Sequence, residues 1–211
     1  MKKLRFFTSL IITCVLVFAC CCFATAQQTA FSDLKKGHWA KGNIDYLVER
    51  GAINGYPDGT FRPSATITGA EFLKIAAASV GAKIKKTEKA NKFWYEPYVE
   101  FARDNNIIES EFNMKWNSKI TRAQMAYIVA GTAGFIGENT YYTEKEKSDM
   151  DSALKDLKTA GSLYSERIYK VVKDGIITGY EDGTFRPEKT ATRAEASAML
   201  SRLFDKSKRV R

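Results

Sequence analysis

Apolar residues recur along the chain at spacings of three and four. Ala40, Ile44, Leu47 and Val48 form one such group, and Tyr164, Ile168, Val171 and Val172 another. A second set reads Phe72, Ile75, Ala76, Ser79; then Met125, Ile128, Val129; then Ala196, Met199, Leu200, Leu203. That spacing predicts helices, each with one apolar face. Every member of the second set is preceded by a threonine with Glu or Gln three residues on: Thr68/Glu71, Thr121/Gln124 and Thr192/Glu195. This is the capping-box signature of a helix start. Before the first and third of these lies a loop holding Asp-Gly and Pro63 or Pro187, residues that turn the chain and stop a helix.

The pattern is a repeat. Gly51-Ala-Ile-Asn-Gly-Tyr-Pro-Asp-Gly-Thr-Phe-Arg-Pro63 returns 124 residues later as Gly175-Ile-Ile-Thr-Gly-Tyr-Glu-Asp-Gly-Thr-Phe-Arg-Pro187. A weaker copy between them keeps the Trp94/Val99 spacing of Trp39/Ile44, and Thr121-Arg-Ala-Gln124. The chain reads as three helix–loop–helix units, at 31–81, 92–134 and 153–204. A charged linker at 135–152, within a Pro-free connection that is partly helical, precedes the third, and a basic tail at 205–211 follows it. One unit is too small to bury its own apolar face, so the fold is mainly α, with three units packed around a shared central bundle.

Residues 1–26 read as a secretory signal peptide: Lys2, Lys3 and Arg5, an apolar run from Phe6 to Phe23, then Ala24-Thr25-Ala26. An uncleaved membrane span and a lipoprotein box at Val17-Phe18-Ala19-Cys20 are the alternatives. All three place the protein outside the cytoplasm. Without that segment 30 basic residues face 24 acidic, a net +6 that suits an acidic partner. All four cysteines lie in the first 22 residues, and His38 is the only histidine. The folded part therefore has no disulfide framework or thiolate metal site, and a Ser-His-Asp triad, a Cys-His pair or a multi-histidine centre is poorly supported. No metal or cofactor is expected.

Among candidate site residues, Arg122 and Arg193 stand out. They fall in the first turn of a helix, where the dipole disfavours a cation but free backbone N–H groups favour an anion. Gly69 replaces them in the first unit. Trp39 and Trp94 read first as core residues and second as platforms for a sugar face. Tyr56, Tyr180, Phe61 and Phe185 read as loop packing. Asp58 and Asp182 each stand alone in a turn and lack the oxygen ligands of a calcium loop. Arg62 and Arg186 fit either an acceptor-binding role or a bridge from the loop to a carboxylate. His38 reads as a surface residue. The basic tail reads as solvated or drawn to an anionic polymer.

These motifs, in order and three times over, resemble the S-layer homology (SLH) domain family: Phe31-Ser-Asp-Leu, Trp39, the Gly-Tyr-x-Asp-Gly-Thr-Phe-Arg-Pro loop and Thr-Arg-Ala-Glu. The second copy departs from the pattern, with Asn113-Met-Lys-Trp-Asn-Ser118 in the loop region. The resemblance implies a pseudo-trimeric, three-pronged spindle, with the first helices at its centre and grooves between repeats. It also implies non-covalent anchoring to the bacterial cell wall through a pyruvylated secondary cell-wall polysaccharide. By position it points to Arg122 and Arg193 as groove residues, with Asp33, Trp39, Trp94 and Asp156 as further candidates. A guanidinium matches the carboxylate of a pyruvate ketal with two parallel hydrogen bonds. On this reading Arg122→Ala and Arg193→Ala together abolish wall retention and leave the fold intact.

The leading function is thus a non-enzymatic wall-binding module at the cell surface or S-layer. The partner is an anionic polysaccharide or a peptidoglycan-linked glycan, and a membrane only if the N-terminus is retained or lipidated. The alternative is a surface scaffold binding a protein partner. A glycan-cleaving enzyme is a weaker reading, because capping already explains Glu71. Nucleic-acid binding is the weakest.

Overall fold

The computed structural model describes residues 31–84 and 92–210, so the readings of the N-terminal segment lie outside the described residues. Seven α-helices carry the described chain: α1 Lys41–Glu49, α2 Gly69–Ser79, α3 Glu96–Asp104, α4 Arg122–Phe135, α5 Glu144–Ala153, α6 Ser162–Lys173 and α7 Arg193–Phe204. No strand forms among the described residues; β pairing is limited to isolated bridges. The mainly helical reading therefore holds, and α5 makes the connection before the third unit partly helical. Thr68, Thr121 and Thr192 each close a full capping box on α2, α4 and α7.

The second helices form the centre. α2, α4 and α7 touch one another, while α1 packs on α7, α3 on α2 and α6 on α4. Each first helix thus lies against the second helix of a different unit. This reverses the expectation that the first helices gather at the centre. The reason is in the residues. α1 buries only Ile44 and Leu47, and α3 only Val99 and Ala102, so each has one apolar face to cover. α4 and α7 are buried on nearly every side by Ala, Ser, Gly and aliphatic residues, and small side chains let backbones approach.

Backbone hydrogen bonds tie the units into a ring. The Ile67 amide donates to the Ala191 carbonyl (3.2 Å), Ala191 to Ile120 (3.1 Å) and Ile120 back to Ile67 (3.0 Å). All three residues are buried, so each supplies a partner that water cannot. The opening amides of the central helices are also spoken for by neighbouring loops. Arg122 and Ala123 donate to the Lys189 and Pro187 carbonyls, Arg193 and Ala194 to Ala65 and Pro63, and Gly69 and Ala70 to Ser118 and Trp116. These helix starts therefore have no spare N–H groups for an anion, contrary to the expectation drawn from their sequence.

Residues 205–210 of the basic tail dock on the fold. Val210 donates its amide to the Gly175 carbonyl at 3.0 Å. Arg209 pairs with Glu138 at 2.5 Å and bonds the Arg202 carbonyl, and Lys206 pairs with the same Glu138. Lys206 and Arg209 thus answer Glu138 at the start of the linker, and Lys208 answers Asp205.

One close approach gives a test of the packing. A Cβ on Gly131 of α4 would lie 1.9 Å from the Ile107 carbonyl oxygen, a backbone atom that no rotamer change removes. Gly131→Ala is expected to cost about 2–3 kcal/mol in urea unfolding through overpacking.

Candidate functional site

The repeated loops are built around aspartates from upstream. Asp33 accepts the amides of Phe61 (2.8 Å) and Arg62 (2.7 Å). Asp156 accepts those of Phe185 (2.6 Å) and Arg186 (2.8 Å). Arg62 and Arg186 sit at φ 58° and 57°, a left-handed conformation uncommon for a residue with a side chain. The carboxylates hold that turn, which buries Phe61 and Phe185 beneath it. Both oxygens of Asp33 and of Asp156 are therefore engaged in shaping the loop.

The loop arginines also close on their own turn. Arg62 pairs with Asp58 at 2.7 Å and lies 3.9 Å from the centre of the Tyr56 ring. Arg186 pairs with Asp182 at 2.6 Å and lies 4.2 Å from the Tyr180 ring. Of the two roles open to these residues, the structure shows the bridge to a carboxylate. The hydroxyls of Thr60 and Thr184, then the arginines, hold Asp58 and Asp182 down from 3.8 to about 2. A carboxyl lowered on folding stabilises above its unfolded value and loses that effect as pH falls through its folded one. The Thr60 and Thr184 amide NMR signals are therefore expected to stay in place down to pH about 3 and to shift together about a midpoint near pH 2.

Arg122 and Arg193 reach from one unit into the loop of another. Arg122 donates through Nε to the Phe185 carbonyl (2.8 Å) and through Nη2 to Thr178 (2.7 Å). Arg193 does the same to Phe61 (2.9 Å) and Asn54 (3.2 Å). Both are buried, at 5% and 6% exposure, and burial lowers the pKa of each. Each guanidinium also stacks on the loop tyrosine, 4.8 Å from Tyr180 and 4.9 Å from Tyr56. Each tyrosine is thereby held between two arginines from different units.

These hydrogen bonds go to neutral carbonyls, so they do not cancel the charge. Glu195 and Glu71 each give one carboxylate oxygen to a threonine cap, and the other oxygen of Glu195 accepts from the Tyr180 hydroxyl and pairs with Lys189. Nη1 of each arginine makes no hydrogen bond among the described residues. Since no side-chain nitrogen or oxygen there is both buried and unpartnered, each Nη1 keeps some contact with solvent.

Two pseudo-equivalent grooves follow. The first, about 420 Å³, runs along Gly51–Tyr56 and is walled by Glu71, Lys74, Trp94 and Arg193. The second, about 180 Å³, runs along Ile177–Tyr180 and is walled by Trp39, Arg122, Glu195 and Arg202. Each draws its loop and second helix from one unit, its tryptophan from another and its arginine from the third. Trp39 and Trp94 are 60% and 51% exposed, so neither packs into the core as first read. His38 stacks beside Trp39 at 5.8 Å, and Lys74 Nζ lies 5.9 Å from the Trp94 ring.

Lys74 and Arg202 were missed in the sequence. Each adds a second cation to its groove. Their signal was present but offset: in the 124-residue repeat Lys74 corresponds to Ala198, and Arg202 to Ala78. The cation moves one helical turn along the same face, so it never aligns with itself. Arg202 is partly buried, and burial first, then the charge of Arg122, lower its pKa.

The third groove position is filled from within. Leu163 stands in place of the tryptophan and Gly69 in place of the arginine, where an added Cβ would strike Met114. Phe112 stacks on Tyr127 at 4.2 Å with Tyr164 edge-on. Arg167 covers the other face of this cluster, 4.1 Å from the Tyr127 ring, and pairs with Glu109 at 2.5 Å.

Among the described residues no helix is long and apolar enough to cross a membrane, and no cluster of His, Cys, Asp and Glu forms a metal site. The profile of the S-layer homology domain matches residues 30–73 and 153–197, the two segments that hold the intact loops. The chain is 31% identical over 187 residues to an exoglucanase, XynX, of Acetivibrio thermocellus, covering 86% of this chain and 17% of that protein. It is 31% identical over 188 residues to an S-layer protein of Bacillus licheniformis, covering 86% and 20%. The S-layer protein EA1 of Bacillus anthracis is 29% identical, with the same coverage. The chain thus spans about a fifth of the length of these relatives. The shared segment occurs both in proteins named as enzymes and in S-layer proteins, and its two best-formed repeats are S-layer homology domains.

Proposed function

We propose that this protein is a non-catalytic cell-wall anchoring module that grips an acidic polysaccharide in two inter-repeat grooves. One observation carries the reading. Two buried guanidiniums are hydrogen-bonded only to neutral carbonyls, and each lines a groove beside a second cation and an exposed tryptophan. A carboxylate there gains charge-assisted hydrogen bonds that the loop carbonyls cannot replace. The tryptophan gives a sugar ring an apolar face to stack on. A pyruvate ketal on a secondary cell-wall polysaccharide supplies both features in one residue. The filled third position leaves two sites, and a repeating polymer that meets both binds through effective concentration.

The test is co-sedimentation of the protein with wall sacculi before and after the secondary polysaccharide is stripped. Binding lost on stripping supports the reading. Binding that survives makes peptidoglycan the ligand, and binding to neither favours a protein partner. Within the grooves, Lys74→Ala and Arg202→Ala are each expected to weaken polysaccharide binding about three- to tenfold, with a shallower salt dependence, in titration calorimetry.

A further inference from the structure

Beyond the two grooves lies a third cavity, of about 400 Å³, between the ends of α3 and α4, the start of the linker and α6. Its floor includes Gly131 and Gly134, so α4 contributes little side-chain bulk there. Its volume matches the first groove, but its chemistry differs. The two cations on its wall are already answered: Arg167 by Glu109 at 2.5 Å, and Lys170 by Glu166 at 2.9 Å. α3 and α4 both end at this cavity, so it meets the carbonyl ends of two helices, which disfavour an anion.

What remains uncommitted is neutral. Among the described residues the side chains of Asn106 and Asn139 make no hydrogen bond, and Asn105 uses only its amide nitrogen, toward Phe101. Tyr141 stands on the rim at 79% exposure. The segment that carries it is pinned: Lys173 Nζ donates to the Tyr141 carbonyl at 2.6 Å, and the Thr140 hydroxyl bonds Asp174. The backbone that carries the ring is therefore held at the cavity mouth before any ligand arrives, which lowers the ordering cost of binding. Amides able to both donate and accept, beside an exposed aromatic face, match a ring bearing hydroxyl and acetamido groups. We propose that this cavity binds an uncharged saccharide residue, with Tyr141 as stacking platform and Asn106 and Asn139 as hydroxyl partners.

The experiment is an amide NMR titration of the protein with N-acetylglucosamine, its β-linked trimer and N-acetylmannosamine, and separately with purified secondary polysaccharide. Shifts are expected at residues 105–106 and 139–141 with millimolar affinity. Tyr141→Ala and Asn139→Ala should each weaken them at least fivefold, while Arg122 and Arg193 signals stay in place with the neutral sugars. Cavity shifts with the trimer would assign the residue to the peptidoglycan strand; cavity shifts with the polysaccharide alone would assign it to that polymer. Absence of cavity shifts with every probe, or shifts that Tyr141→Ala leaves unchanged, would overturn the proposal. Neither result bears on the two cationic grooves, whose test is the stripping experiment.

Discussion

Arg193→Ala is expected to lower the stability of the protein by about 3 kcal/mol, because it strips the partner from the buried Phe61 carbonyl, removes a second hydrogen bond to the part-buried Asn54 carbonyl and empties a packed site. The Phe61 and Asn54 oxygens lose Nε and Nη2 together, in a site where Arg193 is 6% exposed. An unpaired buried acceptor costs roughly 1–3 kcal/mol. The guanidinium also leaves the faces of Tyr56 and Phe61. For a domain of this size the melting temperature should fall by roughly 6–12 °C in calorimetry. Arg122→Ala should behave alike, through Phe185 and Thr178. Loss of wall retention in the double variant therefore reports a loosened fold as well as a lost contact, and the expectation of an intact fold does not survive the geometry. A melting temperature within about 2 °C of wild type would show that the inter-unit clamp is energetically idle.

Trp39→Ala with Trp94→Ala is the cleaner test of function. Both indoles stand on groove walls with more than half their surface in water. Their removal should change stability by less than about 1 kcal/mol, as for other surface positions. Each is expected to weaken polysaccharide binding about tenfold, the loss of roughly 1.4 kcal/mol of stacking. Both together should weaken it by about a hundredfold or more, because the polymer then loses its grip at both sites. Pull-down on sacculi alongside thermal unfolding separates the two quantities. Unchanged pull-down in the double variant would remove the grooves from the binding function.

The sequence by itself determined the local structure. Three capping boxes marked the starts of α2, α4 and α7, because Thr with Glu or Gln three residues on satisfies local amides wherever it occurs. The 124-residue repeat marked matching loops, and the three-and-four spacing marked buried faces. Arg122 and Arg193 were legible as out of place, since a cation in a first helical turn asks for a reason. The tertiary structure decided that reason. The free N–H groups inferred at those helix starts are taken by loop carbonyls of the neighbouring unit. Trp39 and Trp94 could not be placed from their type, because an indole serves equally in a core and on a sugar face. Asp33 and Asp156 read as ligands by position, yet shape loops about 30 residues downstream. Lys74 and Arg202 share a face only once α2 and α7 are superposed one turn out of step. In each case the deciding partner is distant in sequence or belongs to another unit, and periodicity within one segment carries no information about it.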